Sequence, residues 1–161
     1  MTHINSQMTI AVDLAIEAHK DQKYGALPYI YHLAQVDNIV THAYAPKNLG
    51  PAEPFSKHPG DEMDNLRAIA FLHDVLEDTD YSTIDLSIAG VSEVVLDAVI
   101  AITKVDGESY EDYIKKVLEN DLATKVKLCD TSANLMNSIK EGNTKRINKY
   151  SKQLQLLGGF K

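Results

Sequence analysis

The stretch at residues 68–76 constrains the chain more than any other. Ala68, Ile69, Ala70, Phe71, Leu72, Val75 and Leu76 cover the whole circumference of a helix, and a helix that is apolar all round is a buried one. Yet His73 and Asp74 interrupt it, and Glu77 and Asp78 follow directly. Buried charges are costly unless they are paired, hydrogen-bonded or bound to a metal. Three carboxylates and one imidazole carry an excess of negative charge and cannot neutralise one another. A divalent cation is the economical way to supply what is missing. His73 and Glu77 are four residues apart, as are Asp74 and Asp78, so each pair stacks on one side of a continuous helix.

One helix does not complete a metal site, so other helices must contribute. Two positions elsewhere have the same character of a polar group on an apolar face. His32 follows Pro28, Tyr29 and Ile30 at a helix start whose inner side is marked by Leu33, Val36 and Val40. Asp130 is flanked by Val126, Leu128 and Cys129, and Asn134 lies four residues later on the same face. A lone histidine like His32 is more often a core residue, and a lone Asp130 more often a surface one; the combination is what points to a site. His32, His73, Asp74 and Asp130 give two imidazoles and two carboxylates. That mixed set suits Mn²⁺ or Fe²⁺, with Zn²⁺ or Mg²⁺ also open. His3, His19, His42 and His58 lack such company. His19 is expected at the surface or just behind the site, and His42 and His58 in loops or at the surface.

The rest of the chain has the same helical spacing. Ala11, Leu14, Ala15 and Ala18 form one stripe, and Leu33, Val36, Ile39, Val40 and Ala43 a second. Val91, Val94, Val95, Ala98, Val99 and Ile102 form a third. Ser109 caps a helix carrying Tyr110, Tyr113, Ile114, Val117 and Leu118. Leu122, Val126, Cys129, Ala133 and Met136 mark another face. A last helix runs from about Thr144 to Leu156, before Gly158 and Gly159 stop it. Alternation of period two is hard to find. The expectation is an all-α fold, a single domain of about seven to eight helices. Four of the five prolines (Pro46, Pro51, Pro54 and Pro59) fall between Tyr44 and Asp61 with Gly50 and Gly60, so this stretch is an insertion that is no regular helix, either a lid or a decoration.

Composition limits the partners. With 16 Lys and Arg against 23 Asp and Glu, the net charge is −7, which argues against nucleic acid held through its phosphates. A small phosphorylated ligand remains open, since a local basic pocket or a metal could hold it. One cysteine, Cys129, allows no internal disulfide. Residues 1–7 carry no signal-peptide core, and no apolar run reaches the roughly 18–20 residues of a membrane helix. The expected location is the cytoplasm. Oligomeric state is left open.

The order of these segments resembles the HD-domain hydrolases, and within them the RelA/SpoT-type alarmone hydrolases, including their small single-domain form. The matching residues are Ala18, His19 and Lys20 with Pro28 to His32, then Phe71 to Thr79. Ala101 to Lys104 follow with Tyr110 and Tyr113, then Val126 to Asp130 with Asn134, and finally Arg146 and Tyr150. The resemblance implies an all-α fold, one Mn²⁺ held by His32, His73, Asp74 and Asp130, and Glu77 and Asp78 handling the attacking water. It implies that Asn134 helps to position the substrate and that Thr103, Lys104, Arg146 and Tyr150 line the nucleotide pocket. The implied reaction is removal of pyrophosphate from the 3′ position of (p)ppGpp. Some small relatives hydrolyse the 2′-phosphate of NADPH, and a nucleoside monophosphatase or a catalytically weak nucleotide-binding module are the other readings. A polyanion near so many carboxylates needs compensating cations, for which Lys104, Arg146, Lys23 and Lys127 are the candidates.

Overall fold

A computed structural model describes residues 5–46 and 61–159. Most of the Pro-rich insertion, together with His3 and His58, lies outside the described residues. The elements run α1 (Gln7–Ala18), β1 (Lys23–Tyr24), β2 (Leu27–Pro28), α2 (Ile30–Tyr44), α3 (Glu62–Leu72), α4 (Val75–Asp78), α5 (Thr83–Ile88), α6 (Glu93–Ile102), α7 (Tyr110–Leu118), α8 (Asp121–Lys140) and α9 (Thr144–Leu156). Among the described residues there are thus eight helices of six residues or more and one single turn, as the spacing predicts. The short antiparallel hairpin, with Lys23 opposite Pro28 and Tyr24 opposite Leu27, is not foreseen; two-residue strands leave no alternation to read.

Helix starts follow local chemistry. The side chains of Ser6, Asp61, Ser82, Ser92, Ser109, Asn120 and Asn143 each accept a backbone N–H of the first turn of the helix that follows. The two elements whose bounds the sequence reading proposed, α7 after Ser109 and α9 from Thr144 to Leu156, start and stop there.

α3 is the central helix and packs against α1, α2, α6 and α8. Leu66, Ala68, Ile69, Ala70, Phe71 and Leu72 are all buried, which is why its apolar residues show no single stripe. Two polar contacts lock it to its neighbours. Arg67 donates from Nε and Nη2 to both oxygens of Asp37 on α2, each at 2.8 Å. Asp64 accepts the backbone N–H groups of Gln7 at 2.8 Å and Met8 at 3.0 Å, so a side chain of α3 caps the first turn of α1. Of the expected stripe members, Val94, Leu118 and Met136 are about half exposed rather than in the core, at 54%, 46% and 48%, and Ala43 is exposed as well.

The helix expected to run unbroken through residues 68–76 is interrupted. α3 ends at Leu72, His73 and Asp74 form a turn, and α4 begins at Val75. The cause is local. His73 Nδ1 lies 2.7 Å from the carbonyl oxygen of Ala70, the acceptor that the Asp74 amide would use in a continuous helix. Asp74 settles at φ −105° and ψ −3°.

Candidate metal centre and its pocket

The break in the helix aims His73 and Asp74 at residues from two other helices. His73 Nε2 lies 2.9 Å from Asp74 Oδ2 and 3.4 Å from Asp130 Oδ1. His32 Nε2 lies 3.1 Å from Asp130 Oδ1 and 3.8 Å from Asp74 Oδ2. His32 comes from the first turn of α2 and Asp130 from the middle of α8. Donor atoms about 2.0–2.2 Å from one ion stand about 2.8–3.6 Å apart at octahedral or tetrahedral angles; three of these four separations fall in that range, and the fourth, His32 Nε2 to Asp74 Oδ2 at 3.8 Å, lies just beyond it.

A test of fit comes from the protons. A carbonyl oxygen only accepts, so His73 Nδ1 carries the hydrogen toward Ala70 and the neutral ring turns a bare lone pair at Nε2 toward the carboxylates. His73 Nε2 is buried and has no hydrogen-bond partner, although two carboxylate oxygens lie close by. A lone pair facing two anionic oxygens calls for a positive charge between them. The same demand shows in the protonation equilibria. Burial pulls the His73 imidazole down, but the charges of Asp74 and Asp130 outweigh it and hold the group well above its ordinary value. Burial pushes the two carboxyls up, yet His73 brings Asp74 down to about 2, and Lys127 and His73 hold Asp130 well below the usual range. The donor set therefore fits a divalent cation.

Three of the four ligand candidates are held from behind by hydrogen bonds, His73 through Ala70; the Nδ1 of His32 is buried without a hydrogen-bond partner. Asp130 Oδ2 takes the ammonium of Lys127 at 2.9 Å, while Asn134 Nδ2 donates to Asp130 Oδ1 at 2.7 Å. The hydroxyl of Tyr29 donates to Asp74 Oδ2 at 2.6 Å and reaches Asp78 Oδ2 at 3.3 Å. His19, expected at the surface or behind the site, is buried behind it; its ring stacks on Tyr29 with centroids 4.6 Å apart. His42 is exposed on α2. Burial lifts the Glu77 carboxyl above its ordinary value against the pull of the Lys104 backbone N–H, which donates to Glu77 Oε2 at 3.2 Å.

In front of this cluster is a cavity of about 480 Å³. His32, Asp74, Glu77 and Asp130 border it, and so do Lys104, Asn134, Arg146 and Tyr150 of the expected substrate residues. Lys23 and Thr103 do not border it: Lys23 is exposed on β1, and the Thr103 hydroxyl donates to Val99 O at 2.7 Å. Asp78 is turned to Tyr29 rather than into the cavity. Sequence reasoning missed how aromatic the walls are. Tyr24, Tyr29, Tyr110, Tyr113 and Tyr150 all face the cavity, five of the eight tyrosines of a chain with no tryptophan. Lys127 and Lys149 join Lys104 and Arg146 there. The cavity thus combines carboxylates and one imidazole with aromatic rings and cations, a chemistry suited to a ligand with a base and phosphates.

No protein-family model matches this sequence, and no curated protein matches it. Among solved structures, one described as a metazoan ortholog of SpoT that hydrolyzes ppGpp and plays a role in starvation responses superposes with a TM-score of 0.71. The match covers 99% of this chain and 90% of that one at 20% sequence identity. The chain shares its fold with this SpoT ortholog. The all-α architecture expected from the helical spacing, and from the resemblance to the HD-domain hydrolases, is therefore the one observed. At this identity the likeness carries the fold, and the chemistry has to be argued from the residues of this chain.

Proposed function

We propose that the chain is a metal-dependent phosphohydrolase acting on a nucleotide, and that its substrate is (p)ppGpp, from which it removes the 3′-pyrophosphate. The observation that carries the hydrolytic reading is the convergence of His32 Nε2, His73 Nε2, Asp74 Oδ2 and Asp130 Oδ1, with the lone pair of His73 fixed toward two carboxylates. The choice of alarmone is supported by the shared fold, since the SpoT ortholog is described as hydrolyzing ppGpp. Mn²⁺ is the ion proposed, on the strength of the mixed nitrogen and oxygen donors.

His32, His73, Asp74 and Asp130 would hold the ion, which when bound would make a nearby water more acidic and polarise a phosphoryl oxygen. Glu77, at the edge of the cavity, takes the proton of the attacking water. Its raised affinity for a proton suits that role, because a base works best with a pKa close to the working pH. Asp78 acts at one remove, through the Tyr29 hydroxyl it shares with Asp74. Lys104, Arg146 and Lys149 offset the phosphate charges, and Tyr150, whose ring lies 5.8 Å from the Arg146 guanidinium, gives an aromatic surface for the base.

The deciding experiment is an assay of the Mn²⁺-loaded protein against ppGpp, NADPH and nucleoside monophosphates with product identification. The expected products are GDP and pyrophosphate from ppGpp alone. Phosphate release from NADPH or a monophosphate instead would move the substrate and keep the chemistry; binding without any product would replace the enzyme by a sensor.

A further inference from the structure

Tyr24 takes no part in the chemistry described above, yet its side chain touches one of the four proposed metal ligands directly and reaches a second through Asn134. Its ring lies flat on the ring of His32, with centroids 4.6 Å apart and planes 5° from parallel. Its hydroxyl donates to Asn134 Oδ1 at 2.8 Å. Asn134 passes the constraint on: Nδ2 donates to Asp130 Oδ1 at 2.7 Å and to the Asp130 carbonyl at 3.1 Å. Asp130 Oδ1 is the oxygen that approaches both histidines. Both ends of the Asn134 amide are therefore engaged within the protein, and they join Tyr24 to the oxygen that faces the site.

The hydroxyl is itself anchored. Asn137, one turn further along α8, donates to it from Nδ2 at 3.2 Å, and Arg146 on α9 from Nη2 at 3.4 Å. The backbone beneath is a tight hairpin whose turn contains Gly25 at φ +60°, a conformation that favours glycine. A short hairpin with no core of its own thus becomes a fixed wall by being tied to α8 and α9 at one atom.

We propose that Tyr24 is a positioning residue of the metal centre: its ring sets the plane of His32 and its hydroxyl, through Asn134, sets the metal-facing oxygen of Asp130. The assignment rests on the reading of His32, His73, Asp74 and Asp130 as metal ligands. Groups that orient metal ligands from behind carry a large share of metal affinity, about 10–100-fold where they have been removed.

The experiment measures Mn²⁺ binding by calorimetry, and the visible absorption of the Co²⁺-loaded protein, for the wild type, Tyr24→Phe and Tyr24→Leu. Tyr24→Phe keeps the ring that stacks on His32 and removes the hydroxyl with its bonds to Asn134, Asn137 and Arg146, and circular dichroism checks that the helices remain. Its Mn²⁺ affinity should fall about 3–10-fold and its Co²⁺ spectrum shift, while Tyr24→Leu, which loses both routes, should fall about 10–100-fold. Adding Asn134→Ala to Tyr24→Phe should cost much less than the sum of the two single changes, because both cut one chain. Unchanged metal affinity and an unchanged Co²⁺ spectrum in both Tyr24 variants would overturn the assignment, and a rise in KM alone would leave Tyr24 as a wall for the nucleotide. A wild type that binds neither ion would instead sink the metal reading on which the assignment stands.

Discussion

At the scale of single residues the site is built from opposed demands, and the substitutions that test it separate them. Glu77 accepts the Lys104 amide at 3.2 Å and borders the cavity. A glutamine there keeps the shape and can still accept that bond, but it cannot take a proton. Glu77→Gln should therefore leave Mn²⁺ affinity and KM nearly unchanged while kcat falls by about 10²–10⁴. Wild-type turnover in this variant would move the base elsewhere. Lys127→Met tests a different balance. Its ammonium is the cation that pairs with a carboxylate of the ligand set among the described residues, and both side chains are largely buried, at 14% and 6% exposure. Removing one partner of a buried pair costs roughly 3–5 kcal/mol, so urea unfolding of the metal-free variant should show a loss of that order. A loss below about 1 kcal/mol would mean that solvent reaches Asp130 Oδ2 freely. His73 and Asp74 were legible in the sequence because charges inside an all-round apolar stretch are anomalous without help. His32 and Asp130 were legible only as partners to that anomaly. Tyr24 and Tyr29 were not: each reaches the site across a large sequence separation, 110 residues from Tyr24 to Asn134 and 45 from Tyr29 to Asp74. A tyrosine in a two-residue strand carries no periodic signal to reveal it.

At the scale of elements, what the sequence made legible was what is local. Capping by Ser109 and the stop at Gly158 depend on a few neighbouring residues, and both were readable. The break between α3 and α4 also has a local cause, but it lies in one side chain, because His73 takes the Ala70 carbonyl, and helical spacing cannot report that. Val94 and Met136 show the limit of stripe reading: an apolar residue at the edge of a stripe has the right period whether or not another helix covers it. The long-range cap on α1 is likewise invisible in sequence. Asp64, 1% exposed, receives the amides of Gln7 and Met8, 57 and 56 residues away in sequence. Asp64→Ala should destabilise the protein by roughly 1–2 kcal/mol, a capping loss with two part-buried donors left without that partner. Because Asp64 lies away from the ligand cluster, metal stoichiometry should be unchanged at temperatures where the variant is folded. A denaturation midpoint equal to that of the wild type would show that water replaces the carboxylate without cost.

At the scale of the whole molecule, the proposed metal and the His73 proton would compete for one cluster, and that competition would set how stability depends on pH. In the metal-free protein the folded state holds the His73 proton more tightly than the unfolded chain, because Asp74 and Asp130 outweigh the effect of burial. A group raised in the folded state stabilises fully below its unfolded value, about 6.5, and that contribution disappears as pH climbs through the higher folded value. Asp74 and Asp130 are shifted the other way. Their contribution is present above about 3.8 and is lost as acid protonates them. The metal-free protein should thus be most stable in mild acid and weaken toward alkaline pH. On the proposed reading a divalent ion such as Mn²⁺ would displace that proton, so its binding should release protons and strengthen as pH rises. At a hundredfold excess over its dissociation constant the ion adds about 2.7 kcal/mol, which for a chain of this size is about 5–10 °C in Tm. Thermal unfolding followed with EDTA and with a fixed Mn²⁺ concentration, from about pH 6 to about pH 8.5, should show the gap between the two curves widening with pH. A gap that stays constant, or narrows, would mean that no proton leaves His73 when the ion enters, and the four side chains would then hold something other than a divalent metal.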